Sequence, residues 1–401
     1  FAIHFPNEER AAGRPVRMRP AHDLQKKMGA VMGLNYGWEH PLWFAYAPNT
    51  ADTNGFDRQN WFEPVGAEAM MLRDAAGIID ISNFAKYFVI GLGASDWLNA
   101  VFANNMPKDV GRSCLTPLIG VNGGIAGDFT VTKLAEDEFM FIGGGMSERY
   151  HSRFFKQVPL PAGTIFESRT DTMCGFNVAG PRSRDLLSRL TNADLSTKAF
   201  PFMRSQRIVV SGVDVIALRV SFTGDLGWEL HCAEADQLRL YEALLEAGKA
   251  VGAGPVGSRA LMSLRVEKGY GSWGREYSPE YWPQEVALDR LIKLEKNFLN
   301  KDSYLKVKDN APREVLSLIH VQDVDTADAT GGEPIFLPDG TPVGRVTSGT
   351  YGYSVGMSLA LGYLKDVTAG DAVDVMILGK PHRGVVLAEP PFDPKGDKLR
   401  A

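Results

Sequence analysis

Apolar and polar positions along this chain fall into two similar runs and a third of different character. Tyr87-Phe88-Val89-Ile90 reads as a strand that leads through Gly91 and Gly93 into a helical stretch, Ala94 to Phe102, closed by Asn104-Asn105. The same order returns at Gly175-Phe176-Asn177-Val178, followed by Gly180-Pro181, a helical Arg182 to Leu190, and Thr191-Asn192. Each unit continues into strands, Gly124 to Leu134 in the first and Val213 to Leu230 in the second. From Asp236 to Ala247 the period is helical, with Leu238, Tyr241, Leu244 and Leu245 on one face. Two strand–helix–strand halves related by a pseudo-twofold are the natural reading; two generic α+β units of chance similarity are the alternative.

From Glu314 onward the pattern shortens. Val315 to Ile319, Gly344 to Thr347, Leu359 to Tyr363 and Val373 to Ile377 read as strands, separated by turns at Asp339-Gly340, Ala369-Gly370 and Gly379-Lys380-Pro381. A C-terminal β-barrel over 313–401 is expected, with its boundary in the Lys-rich stretch Lys301 to Pro312. The remainder divides into a connector over 1–36 and a region over 37–300 of two lobes, about 37–165 and 166–300. The fold class is α+β.

Composition narrows the function. With 401 residues, 44% of them hydrophobic, the chain holds enough apolar surface for two or three domains, which argues against disorder. A formal net charge of -5 leaves no basic excess to neutralise phosphates, so nucleic acid and anionic membranes are not expected partners. Cys114, Cys174 and Cys232 are far apart and lack C-x-x-C spacing, so reduced thiols are expected rather than a zinc site or a disulfide framework. The seven histidines form no metal-like cluster in sequence. There is no apolar run of membrane-spanning length and no signal segment, which points to the cytosol or an organelle matrix. The opening, Phe1 rather than Met and then a polar, proline-punctuated run to Arg19-Pro20, suggests a chain that begins within a longer polypeptide, or a trimmed terminus.

Two glycine-rich segments carry the candidate chemistry. Gly123-Gly124-Ile125-Ala126-Gly127-Asp128 and Val220-Ser221-Phe222-Thr223-Gly224-Asp225-Leu226-Gly227-Trp228-Glu229 set carboxylates on strands where backbone can approach a ligand closely. Gly91-Leu92-Gly93-Ala94-Ser95-Asp96 lacks the third glycine of a dinucleotide loop and reads as a tight strand-to-helix turn.

Asn60-Trp61-Phe62-Glu63-Pro64-Val65-Gly66, Gly37-Trp38-Glu39-His40-Pro41-Leu42-Trp43-Phe44, Ser263 to Tyr270 with Trp273-Gly274, and Thr347 to Ser354 together resemble the folate-binding half of dimethylglycine and sarcosine dehydrogenases. The wider family is that of the glycine-cleavage aminomethyltransferase, or T-protein, and the resemblance runs from about Glu8 to the C-terminus. It implies a three-lobed, cloverleaf-like body with two pseudo-symmetric antiparallel-sheet lobes and a barrel around a tetrahydrofolate site. It also implies a flavin-dependent oxidase half, carrying FAD, upstream of this chain or as a partner. That half oxidises a methylated amine, and folate captures the one-carbon unit as 5,10-methylenetetrahydrofolate.

The resemblance also implies residue roles. Asp128 matches the family's catalytic aspartate; a hydrogen bond to its own turn is the competing reading. Glu229 matches the acid that binds the pterin edge, with a salt-bridged strand residue as the alternative. Phe222 stands where relatives often have Tyr, which removes one polar contact from the folate site. Arg265 and Glu267 either pair with each other or reach the folate tail, and the structural role is favoured. Tyr351 and Tyr353 either close the folate channel from the barrel side or belong to the barrel core. Ala287 replaces a glycine of relatives, from which a small repacking is expected. Three functional classes stay open: the folate half of a demethylating dehydrogenase, a stand-alone tetrahydrofolate-dependent methyltransferase or demethylase, and a folate-binding module without chemistry.

Overall fold

A computed structural model describes residues 4–401; Phe1, on which part of the N-terminal expectation rests, lies outside them. Two antiparallel sheets and a closed barrel form the body. The first sheet has the order Ser113–Ile119, Ile125–Ala135, Glu138–Gly143, Ala85–Ile90, Ile165–Ser168. The second runs Ser205–Val210, Val213–Leu218, Gly227–Ala233, Met173–Ala179, Gly77–Asp80, Gly254–Val256, with the last pair parallel. The first four strands of the two sheets correspond in position and connection, which is the pseudo-symmetry that the repeated pattern predicts.

The lobe boundary drawn at 165/166 does not follow the sheets. Beside Ala85–Ile90 the first sheet takes Ile165–Ser168, which straddles the drawn boundary; beside Met173–Ala179 the second takes Gly77–Asp80, from within the stretch assigned to the first lobe. Helix Phe62–Asp74, just before that strand in the chain, lies with the second lobe as well: its Val65, Ala69 and Leu72 share a core with Ala260, Leu261 and Leu264 of helix Ser258–Glu267. The connector expected over 1–36 is also too long. Helix His22–Lys27 and strand Ala30–Asn35 are folded, the strand pairs with Trp38–Phe44, and Ala21 is fully buried in the second-lobe core. Polar composition concealed this, because these residues bury only a narrow stripe.

Alternation along the strands assigns the faces. Trp228 and Leu230 point to the core beneath helix Gln237–Lys249, and Phe129 and Val131 point to the corresponding core of the first lobe. On the opposite faces, Phe88, Met140 and Ile142 of one sheet meet Met173, Ile216 and Leu218 of the other, forming an apolar layer between the lobes. Helix Gln237–Lys249 buries Gln237, Leu240, Tyr241, Leu244 and Gly248, so the inward face is rotated from the expected one and Leu238 and Leu245 lie at its margin. Cys174 and Cys232 are direct cross-strand neighbours, and all three cysteines are free.

The barrel closes in the order Val315–Val321, Met357–Leu364, Pro342–Gly352, Pro334–Phe336, Ala372–Ile377, Lys380–Val386, around Ile319, Ile335, Val346, Val373 and Val375. The segment from Gly269 to Trp282 ties it to the lobes. Tyr281 stacks on Tyr363 of the barrel at 3.4 Å, the Tyr363 hydroxyl donates to the Glu276 carbonyl at 2.6 Å, and the Ile125 N–H donates to the Tyr281 carbonyl at 3.0 Å. Gly124 makes that approach feasible, since a Cβ there would lie 2.3 Å from the Pro279 carbonyl oxygen. Gly124→Ala is therefore expected to cost about 1–3 kcal/mol by overpacking. A thermal melt checks this; an unchanged midpoint would mean that the segment is not pinned against the strand.

Ala287 has φ 56°, in the left-handed region that glycine enters without strain, so the departure at this position concerns backbone conformation more than repacking. The Gly91 turn behaves as read: φ is 126°, and a Cβ would meet the Gly163 carbonyl at 2.3 Å.

Candidate functional site

Asp128 lies on Ile125–Ala135, out of phase with Phe129 and Val131, and next along the same face is Thr130, paired with Ile142 of the interlobe layer. Its side chain thus points between the lobes. It is half-buried, and among the described residues no other residue donates a hydrogen bond to its carboxylate. Desolvation pushes its pKa up to about 6, with a bond from its own amide opposing the shift. A carboxylate that is desolvated, partly open and unpartnered is suited to accept a proton or face a cation. Tyr277, from the central segment, feels the Asp128 charge, while burial drives its own phenol well above the ordinary range.

Glu229 approaches from the other sheet. It alternates with Trp228 and Leu230 and pairs with Leu218, so it too faces the interlobe layer. One oxygen meets His231 Nε2 at 3.3 Å, and the side chain stays 20% exposed. Its strand-salt-bridge alternative reduces to this imidazole. His231 is fully buried and its pKa is lowered, first by burial, so the neutral ring donates Nε2–H to Glu229.

Phe222 is half-buried and stacks on Tyr270 at 6.0 Å and 19° between planes, forming an aromatic wall. Trp273 packs on His151 at 5.1 Å and donates to Ser147 Oγ; His151 lies against Phe129 at 4.8 Å, and burial keeps its pKa near about 4. Tyr270, Trp273 and Tyr277 were not singled out as site residues by the sequence reading. Their signal was the aromatic density just after the Ser263 to Tyr270 motif.

Arg265 and Glu267 do not pair with each other. They are two positions apart on helix Ser258–Glu267, so their side chains leave it about 200° apart in direction. Arg265 is fully buried and bonds Glu276 at 2.8 Å, the Tyr270 carbonyl at 2.8 Å and Ser348 Oγ at 2.6 Å, which joins helix, central segment and barrel. Glu267 bonds Arg73 at 2.7 Å, and Arg73 also bonds Asp225. Asp225, the second carboxylate of the glycine-rich segments, is thereby a buried structural group. Tyr351 sits apart from Asp128 and Glu229 in an aromatic cluster with Phe62 (5.5 Å) and Tyr353 (5.3 Å), with the Arg58 guanidinium 4.7 Å over its ring. Tyr351 and Arg265 both line a cavity of about 280 Å³ that also touches Trp61 and Arg275.

Among the described residues no group of His, Cys, Asp and Glu could hold a metal ion, and no helix is long and apolar enough to cross a membrane.

Residues 21–296 match the GCVT N-terminal domain family and residues 316–393 the glycine cleavage T-protein C-terminal barrel domain. The chain is similar to the mitochondrial dimethylglycine dehydrogenase of Mus musculus, 36% identical over 398 residues that make up 97% of this chain and 45% of that protein. It is also similar to the aminomethyltransferase of Listeria welshimeri serovar 6b, 28% identical over 88% of this chain and 96% of that one. The glycine cleavage system aminomethyltransferase T of Bartonella henselae shares the fold, with a TM-score of 0.81 over 95% of this chain and 99% of that one at 23% identity. This chain spans about half the length of the dimethylglycine dehydrogenases that it matches. With both domains matched in order, two pseudo-symmetric lobes and a closed barrel, the chain belongs to the glycine cleavage T-protein family of enzymes.

Proposed function

We propose that this chain takes up the one-carbon unit of an N-methyl amine, dimethylglycine- or sarcosine-like, on tetrahydrofolate, as the folate half of a flavin-dependent demethylating dehydrogenase. What supports the reading is that a carboxylate lies on the interlobe side of each of the two sheets. Asp128, desolvated and unpartnered, and Glu229, held by a neutral imidazole, come from different sheets and face one interlobe layer. Residues present fit the ligand. Glu229 can accept two parallel N–H donors from the aminopyrimidine edge, and the Phe222–Tyr270 pair offers an aromatic face to the pterin. Tetrahydrofolate, when bound, would supply two nitrogen nucleophiles for the iminium carbon, the donor's own C–N bond breaking so that the demethylated amine and one proton leave, with 5,10-methylenetetrahydrofolate as the product. Asp128 takes the proton released at its Oδ atoms and, while ionised, stabilises positive charge on the incoming iminium carbon. The length and name of the dehydrogenase relatives support an FAD-bearing half or partner as the source of that unit, in the cytosol or a mitochondrial matrix.

Anaerobic calorimetric titration with tetrahydrofolate tests the reading. Wild type is expected to bind saturably. Glu229→Ala is expected to weaken binding at least about tenfold, the worth of a charge-assisted hydrogen bond. No saturable binding by a folded wild-type chain would sink the proposal. Binding that yields 5-methyl rather than 5,10-methylene product from an added donor would move the protein to the stand-alone methyltransferase class.

A further inference from the structure

Strand Met173–Ala179 is buried at every position, and Asn177 is its one strongly polar side chain. Burying an amide costs free energy unless both of its ends find partners, and here only one end does. The Nδ2 group donates to the Trp228 carbonyl at 3.2 Å and to the Val220 carbonyl at 3.5 Å, whereas Oδ1 has no hydrogen-bond partner among the described residues. Those two carbonyls fix which way the amide is turned, because the reverse orientation would set oxygen against oxygen. At 3% exposure the residue is out of reach of bulk solvent, so the unused acceptor is desolvated as well.

Strand register places this acceptor. Asn177 pairs with Glu229 on one side and with Ile79 on the other, so the three side chains share the face of the sheet on which Glu229 looks towards the interlobe layer. Ile79 belongs to the apolar cluster against which Phe222 packs, and Val220, whose carbonyl Asn177 holds, is two residues before Phe222. The orphan oxygen thus stands beside the candidate acid and next to the segment that carries the aromatic wall. His231 Nδ1 is a second unpartnered atom of this face, but its ring lies over Gly175, where a Cβ would come within 2.8 Å of that nitrogen, so it is turned to its own sheet.

We propose that Asn177 is a further ligand-binding residue of this site: its side-chain oxygen accepts the second hydrogen of an exocyclic amino group whose first hydrogen Glu229 accepts. The inference rests on the tetrahydrofolate reading above for the ligand, whose 2-amino group carries two such hydrogens. The spacing fits. Two hydrogens on one planar amino nitrogen diverge by about 120°, so acceptors about 2.9 Å from that nitrogen lie about 5 Å apart. Neighbouring strands are about 4.8 Å apart, and directly paired side chains start from a similar separation. Glu229, 20% exposed, is the neighbour whose rotation uncovers Oδ1 as the ring edge enters. A ring without the amino group leaves Oδ1 buried and unpaired, so the residue selects for a 2-amino ligand.

A cycle over protein and ligand tests this. Tetrahydrofolate and its 2-desamino-2-methyl analogue are titrated anaerobically into wild type, Asn177→Leu and Asn177→Ser, with melting curves to show which variants have folded. Leu nearly conserves the volume, and Ser is too short to reach the amino group. Each folded variant is expected to bind tetrahydrofolate about tenfold more weakly, the effect of leaving a buried donor unpaired, and to change its affinity for the analogue by less than about twofold. Loss of the Nδ2 bonds to the backbone weakens both ligands alike, so equal losses would overturn the role of Oδ1 and leave the tetrahydrofolate reading standing. No binding of tetrahydrofolate by folded wild type would overturn both.

Discussion

Asp128→Asn is expected to lose at least about 100-fold in methylenetetrahydrofolate yield, the usual contribution of a positioned base, while making the protein more stable at neutral pH. The two effects share one cause. The carboxylate pKa is raised from 3.8 to about 6 by desolvation, so the folded protein binds the proton more tightly than the unfolded chain does. Below about pH 4 both states are protonated and the variant gains nothing. Between about pH 4 and 6 the unfolded chain ionises first, so wild type loses stability relative to the variant as pH rises. Above about pH 6 the difference levels off, at about 1–3 kcal/mol for a shift of this size. Wild-type turnover is expected to rise with pH through about 6, as the base becomes available. Melting curves from pH 4 to 8 and single-turnover yields check the two halves. Retained yield in Asn would remove Asp128 from the chemistry, and identical melting at pH 8 would remove the desolvation argument.

The second large effect is structural. Arg73 is buried with its guanidinium bonding Asp225, Glu267 at 2.7 Å and the Thr223 carbonyl at 2.8 Å, under the ring of Phe392 at 3.4 Å. Arg73→Met leaves two carboxylates buried without their cation, and a loss of about 3–5 kcal/mol is expected. The triple variant Arg73→Met, Asp225→Asn, Glu267→Gln is expected to recover most of it, because no charge is then left unpaired. Urea unfolding of the two proteins separates the explanations. If the triple variant is as unstable as the single one, packing of the Arg73 stem and Phe392 carries the effect instead of charge. Acidification is expected to rescue the single variant in part, since burial already raises the Asp225 pKa and protonation removes the uncompensated charge.

Asp128 and Arg265 show how far local pattern reaches. The run Gly124 to Leu134 reads as a strand, and within it Phe129 and Val131 alternate with Asp128, which leaves Asp128 on the other face from the buried pair. In the structure Glu229 likewise lies on the face opposite Trp228 and Leu230. That both faces look into a shared layer was not available locally, because it depends on how two sheets dock. Arg265 was visible as a charged helical residue, but its partner Glu276 lies beyond the Gly269 turn, and Ser348 comes from the barrel. The pairing of Gly77–Asp80 with Met173–Ala179 spans about a hundred residues, which is why the lobe boundary was misplaced.

By itself the sequence determined the periodicities: strand and helix order, the repeat between the lobes, the barrel, and the glycines that let backbone pass close to Gly124 and Gly91. These are set by sterics and side-chain alternation within a few residues. Only the tertiary structure decided which charges are buried against an opposite charge, as Arg73, Arg265 and Asp225 are, and which are desolvated with no ion-pair contact among the described residues, as half-buried Asp128 and buried Lys86 are. Desolvation and Coulomb energy depend on everything within several ångströms, and in this fold those neighbours come from strands and loops far apart along the chain.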